Sequence, residues 1–383
     1  MQASNAPSKS PVPFAESGTK NTIPVDSQIG VTPGAASFTD GFPPLTMTPL
    51  TAGGVPPSGA DFNGIFNFLS AAVRWAQAGG QYKYDADFAT AVGGYPRGAT
   101  LMSSDGTGTW RSIAENNTTD PDSGAAGWVA GAAAGLAGMS SNLRCIANTA
   151  AASVTITADE VVVAKALGGQ SYRVANVNKT LNLATTGAGG MDVGSAPNNG
   201  FVAVYVIYNP ANGTSALLAV NATSAAAPTV YGGSSMPAGY TASALVSVLP
   251  TNGSGQIPVL FQQDRKISFA LKTVLTSTTP NGEPGSSLGI SSAVPINAKT
   301  VDMGINLQQS ALSGNIGEGC AISSSASLIK QQFVQVAGNG VTQIVGWCGD
   351  IPIITPQTVW YSWRKFGATA DDALNIYVTA YSF

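Results

Sequence analysis

Apolar and polar positions follow three rhythms along this chain. Residues 1–57 have no period. Phe14, Ile23, Ile29, Phe38, Phe42 and Leu45 are scattered among Pro, Gly, Ser and Thr, which predicts an extended leader with no core of its own. Residues 58–80 switch to three- and four-residue spacing. Phe62, Ile65, Phe66, Leu69, Ala72, Val73 and Ala76 form one stripe, so a helix is predicted. Ser58 and Asp61 open it as a near capping box, and Gly79–Gly80 stops it. From residue 81 onward the rhythm shortens to alternation in brief runs, which predicts strands.

The helix is apolar on too many sides. Phe68 and Trp75, with Ala71 and Gly64, make a second apolar face, and only Asn63, Asn67, Ser70, Arg74 and Gln77 form a polar strip. A surface helix of a monomer buries one stripe. Two faces predict a second partner. The segment is too short and too interrupted by Asn and Arg to span a bilayer.

The β part divides by its turns. Residues 81–130 read as a small β module, with strands Ala99–Ser103 and Thr109–Ala114 around "SSDGTG". Residues 131–143 are a small-residue connector. Residues 144–275 carry short strands such as "FVAVYVIYN" and "SALVSVLPT", punctuated by "NPANGT" and "TNGSG". After a break at 276–289, residues 276–383 form a second β region that closes on "ALNIYVTAYSF". Short strands at this spacing predict sandwich-like domains, so the fold class is mainly β.

Composition narrows the chemistry. Charged residues are 10% of 383 and the net charge is −3, so a basic nucleic-acid footprint is absent. No run reaches membrane-spanning length, and the first residues lack the apolar core of a signal peptide. There is no histidine, which excludes histidine bases, triads and histidine metal sites. Cys145, Cys320 and Cys348 are too scattered for a disulfide framework or zinc site and are expected as buried free thiols. No metal or cofactor is expected.

Two groups of side chains are candidates for function. Carboxylates come in sequence pairs: Asp85 with Asp87, Asp120 with Asp122, Asp159 with Glu160, and Asp371 with Asp372. Their polar, turn-like surroundings fit solvated loop charges better than a glycosidase pair. The last region concentrates aromatics: Trp347, Trp360, Tyr361, Trp363, Phe366, Tyr377, Tyr381 and Phe383, with Arg364 and Lys365. In "TVWYSWR", Trp360, Ser362 and Arg364 share one face. In "NIYVTAYSF", Tyr377, Thr379, Tyr381 and Phe383 share one face, and Ile376, Val378 and Ala380 form the core face. Trp360, Arg364, Tyr377 and Tyr381 are therefore the candidate binding residues. Trp347 in "WCGDIP" is a weaker one.

The segments "GFPPLTMTPLTAGGVPPSGADFNGIFNFLSAAVRWAQAGGQYKYD" (41–85), "YPRGATLMSSDGTGTWRSIAENNTTDPDSGAAGW" (95–128) and "YGGSSMPAGYTASALVSVLPTNGSGQIP" (231–258) resemble tail-fibre and receptor-binding proteins of tailed bacteriophages. The resemblance touches most of residues 41–268. It implies an elongated homotrimer, made in the bacterial cytoplasm and carried on the virion tail. The N-terminal part would bind other tail or baseplate proteins, and the C-terminal part a glycan or protein receptor on the bacterial surface. One face of the helix would then pack on its own chain. The other would meet its mates around a threefold axis, with Phe62, Ile65, Phe66, Phe68, Leu69, Val73 and Trp75 as the trimer residues. The expectation is a structural, non-enzymatic attachment protein, with no nucleic acid and no membrane insertion. The alternatives are a baseplate or tail-tip adaptor and a glycan-degrading tailspike.

Overall fold

The computed structural model describes residues 6–124, 126–131, 135–283, 285–311, 316–338, 341–366 and 369–383. It is mainly β and separates into two units, residues up to Ala89 and residues from Thr90 on. No helix among the described residues is long and apolar enough to cross a membrane.

The first unit is built on one helix, α1 (Gly59–Gln77). Ser58 caps it, its hydroxyl accepting from the Ala60 N–H at 3.2 Å, and Gly79 at φ +81° follows its end. Asp61 does not complete a capping box. It is 2% exposed and turns to the leader, accepting from the Asn21 side chain at 2.6 Å and the Ala36 N–H at 2.9 Å.

The leader is laid along α1 by the helix's polar strip. Asn63 donates to the Thr19 carbonyl (2.7 Å) and Asn67 to the Phe14 carbonyl (2.6 Å). The Phe14 N–H donates to the Ser70 hydroxyl (2.7 Å), and the Ser10 N–H to the Gln77 side chain (3.0 Å). Leader numbers fall as helix numbers rise, so the two run antiparallel. An extended strand without a sheet has bare backbone groups, and these amides and hydroxyls satisfy them. Gly64 makes the approach possible, because a Cβ there would lie 2.0 Å from the Asn21 carbonyl oxygen. Three leader rings flank the helix: Phe14 against Phe66 (5.5 Å between centroids), Phe38 against Phe68 (5.3 Å) and Phe42 against Phe62 (4.6 Å).

A short helix, α2 (Ala86–Val92), straddles the division between the units. The second unit begins with a three-stranded antiparallel sheet of β1 (Thr100–Met102), β2 (Thr109–Ser112) and β3 (Trp128–Ala130). The expected connector contains a two-residue strand, β4 (Ser140–Ser141).

The main body is one antiparallel sheet. Its strands are β5 (Arg144–Ala147), β6 (Ser153–Ala164), β7 (Ser171–Asn182), β8 (Phe201–Asn209), β9 (Thr214–Asn221), β10 (Ala242–Pro250), β11 (Leu260–Gln263) and β12 (Lys266–Ser277), joined later by β14 (Thr300–Ala311), β17 (Val341–Pro352) and β19 (Thr369–Ser382). The order is β17-β14-β19-β12-β11-β5-β6-β10-β8-β9, with β4 and β7 also on β6. A second sheet, ordered β13-β18-β15-β16, is formed by β13 (Ser286–Gly289), β15 (Ile316–Ser323), β16 (Gln332–Gly338) and β18 (Thr358–Phe366).

The expected boundary at 275/276 is not a break in the sheet. β12 runs across it and pairs with β19, so the last strand of the chain joins the earlier β region to the later one. The small sheet contributes Cys320, Ile322, Val359 and Trp363 to the same core as Met303, Ile305, Ile376 and Val378 of the large sheet. This is sandwich packing at one end of a longer sheet.

Candidate functional site

Two regions of the fold hold the residues singled out from sequence. The first is α1. Its polar strip is spent on the leader, and its apolar faces stay largely uncovered beside the leader rings. Phe62, Phe66, Leu69 and Val73 are exposed, Phe68 is 57% and Trp75 48% exposed, and Ile65 is half-buried. On one side Ile23, Phe38, Phe68, Ala72, Trp75 and Tyr82 line a groove of about 700 Å³. On another, Phe14, Phe66, Leu69 and Val73 line a shallower one of about 380 Å³. Of the expected packing of an apolar face on its own chain, the structure shows the leader rings of Phe14, Phe42 and Phe38 against Phe66, Phe62 and Phe68, which stay exposed on their other sides. The leader takes the polar strip, and on the apolar faces it sets its three phenylalanine rings and comes close at Gly64.

The second lies in the C-terminal strands and is divided between the sheets, with Trp360 and Arg364 on β18 of the small sheet and Tyr377 and Tyr381 on β19 of the large one. Tyr381 leaves the candidate set. It is 1% exposed, its hydroxyl donates to the Val248 carbonyl, and its ring packs near Phe201 and Phe269. Burial drives its hydroxyl pKa well up. Strict alternation placed it with Tyr377, but Ala380 and Tyr381 are both buried. β19 pairs with irregular register on both sides near this point, between Ser268 and Lys272 on β12 and between Asp302 and Met303 on β14. A bulge that slips the strand by one residue swaps faces.

Trp360 is half-buried, between Ser287 and Ser323 on the neighbouring strands. Arg364, also half-buried, is in an ion pair with Glu283. Tyr377 is half-buried on the outer face of β19, opposite Gly304. Gly304 is directly paired on its other side with Trp347 of β17, which is 62% exposed. Residues directly opposite across a sheet share a face, so Trp347 and Tyr377 flank one glycine. The structure thus raises Trp347, the weaker sequence candidate, into the partner of Tyr377. The signal was present as alternation, since Val345 and Trp347 stand on the face opposite Cys348.

The paired carboxylates have structural work. Asp85 accepts from the Phe88 N–H (2.9 Å) at the start of α2. Asp120 caps a 3₁₀ turn through the Asp122 N–H (2.9 Å), and Asp122 accepts from the Trp110 indole (3.1 Å) and the Ser104 N–H (2.9 Å). Asp159 accepts from Asn142 (2.5 Å), and Glu160 pairs with Arg173 (2.7 Å). Asp87 has no partner among the described residues, and Asp371 and Asp372 fall outside the described side chains. All three cysteines are free and buried. Burial pushes Cys145 up to about 12 and Cys348 up to about 11, and raises Cys320 further, so none is a thiolate at neutral pH. No metal-holding cluster occurs among the described residues.

No family model matches this chain, and no curated protein does. Among solved structures, a chain from the crystal structure of the T13 IBDV viral particle aligns over 64% of this chain and 73% of its own length. Its identity is 10% and its TM-score 0.15, a likeness too weak to carry an argument.

Proposed function

We propose that this chain is a structural, non-enzymatic attachment protein of a bacteriophage tail. It self-associates through α1 into a homotrimer. Its N-terminal part joins other tail or baseplate proteins, and its C-terminal β region meets a receptor on the bacterial surface. The observation that carries the reading is the inverted helix. A helix whose polar strip is consumed by its own leader, and whose Phe68, Leu69, Val73 and Trp75 stand outward, is built to be covered. Two grooves of different lining on one helix fit a cyclic arrangement, in which one face of each copy meets a different face of the next. The resemblance of residues 41–128 to tail-fibre proteins supplies the setting, and the exposed Trp347 beside Tyr377 the recognition face.

Light scattering on the purified chain tests the assembly. Three times the 38.6 kDa chain mass is expected for the wild type. Dissociation is expected for Phe68→Asp and Trp75→Asp, since burying an unpaired carboxylate costs several kcal/mol. A monomeric wild type, or intact trimers in both variants, overturns the reading. Competition of the purified protein with virion adsorption, and its labelling on the tail by electron microscopy, test the setting.

A further inference from the structure

A cavity of about 600 Å³ opens beside the hairpin turn between β11 and β12. Its walls mix apolar side chains, among them Ile353 and Phe383, with Asn297, Arg265 and Lys299, and none of its lining side chains is acidic. This size and mixture are those of small-molecule sites, which span about 300–1,000 Å³.

The fold aims Arg265 here by two devices. Asp264 takes φ +51° in the two-residue turn, and β10 carries a bulge between Leu245 and Ser247. Near the bulge, two carbonyls bond outside the strand ladder. Val246 accepts from the buried Gln262 amide (2.9 Å), and Leu245 accepts from Arg265 Nη2 (3.3 Å). The same Nη2 donates to the Gly138 carbonyl (2.9 Å), and the guanidinium sits 5.1 Å from the centre of the Phe383 ring. The guanidinium is thereby fixed in place, with its Nη1 and Nε hydrogens given no protein acceptor among the described residues. Neither Arg265 nor Lys299 is in an ion pair with any carboxylate, side-chain or terminal, among the described residues. Burial pulls the Arg265 guanidinium below its ordinary pKa, and no neighbouring acid offsets it. A half-buried guanidinium held in place by two carbonyls and a ring, with its remaining hydrogens open and no ion pair among the described residues, can receive an anion.

The geometry points to a binding site for a small organic carboxylate, its charge on Arg265 and Lys299 and its body against the apolar wall of Ile353 and Phe383. The cavity is far larger than a lone inorganic ion needs, which favours an anion carried on a part-apolar body. The inference stands on this cavity alone and does not need the tail assignment.

The test uses the full chain with a matched pair of probes, D-galacturonate and D-galactose, which differ in the carboxylate, and inorganic phosphate as a third. Calorimetry or saturation-transfer NMR should find galacturonate bound about tenfold or more tighter than either, weakening with added NaCl. Lys299→Ala is exposed and should unfold like wild type while lowering galacturonate affinity by about three- to tenfold. Arg265→Met should abolish binding. If that variant fails to fold, Lys299→Ala decides alone. Equal binding of acid and neutral sugar, no binding of galacturonate, tighter binding of phosphate, or an unchanged Lys299→Ala each overturns the proposal.

Discussion

The indole of Trp347 lies over Gly304, its direct partner across β14 and β17, so closely that a Cβ on Gly304 would meet the ring at 2.8 Å. A glycine in the interior of a strand costs stability, and an aromatic ring from the neighbouring strand covers the bare backbone. Gly304→Ala is therefore expected to push the ring outward and not to break the sheet. The Trp347 fluorescence should shift red relative to the wild type, with thermal stability changed by about 1 kcal/mol or less. A large loss of stability without the spectral shift would mean that the ring cannot move.

Asp61 joins two parts of the leader to α1 through Asn21 and Ala36. Asp61→Ala leaves the buried Ala36 N–H unpaired and frees the exposed Asn21 side chain, so both ties of the leader to α1 are lost. The expected cost is about 3 kcal/mol, or about a hundredfold in the population with the leader lifted. Trypsin should cut after Lys20 faster by a similar factor, with the core of residues 144–383 untouched. Gly64→Ala should do the same by sterics, since the added carbon would lie 2.0 Å from the Asn21 carbonyl oxygen, and backbone cannot move aside as a side-chain tip can.

Asp105, in the β1–β2 turn, accepts from Lys165 (3.0 Å) and Tyr172 (2.9 Å) of β7 and its approach, fixing the small sheet to the main body. Burial raises its carboxyl. Hydrogen bonds from Ser103, from the Thr107 backbone and hydroxyl, and from Lys165 outweigh that and hold it well below the ordinary 3.8. A carboxyl depressed in the folded state contributes stability above the unfolded value and loses it as pH falls. Unfolding should therefore become easier below about pH 4. Asp105→Asn should cost about 1.5–3 kcal/mol at neutral pH and flatten the acid limb. An acid limb unchanged in that variant would assign it to other carboxylates.

What sequence could show was decided by how local each cause is. α1 was legible because capping, spacing and the glycine stop act within a few residues, and its ends fall where Ser58 and Gly79 put them. The β content was legible for the same reason. The role of Asn63, Asn67 and Ser70 was not, because a polar strip reads alike whether water or a leader backbone takes its hydrogen bonds. Pairing of β12 with β19 joins residues about a hundred positions apart, and no local pattern announces it. Tyr381 was misplaced because a bulge is invisible to a rule of strict alternation. Arg265 went unnoticed as a lone cation in a turn. Its setting comes from a bulge on β10 and a ring at Phe383, both distant in sequence.

The same contrast yields the sharpest test of the recognition face. Tyr381→Ala removes a fully buried ring and should cost about 3–5 kcal/mol of folding stability, and Tyr381→Phe about 1 kcal/mol for the lost bond to Val248. Neither should change adsorption to host cells once folded protein is compared. Trp347→Ala removes an exposed ring, so it should leave the thermal midpoint within a few degrees. On the proposed reading it should still weaken adsorption, by about 1–4 kcal/mol per site and more when three copies act together. Tyr377→Ala, half-buried beside the same glycine, should show both effects at smaller size. Adsorption that follows stability alone across the four variants would move recognition away from this face, and the loops at the sheet ends would have to be searched instead.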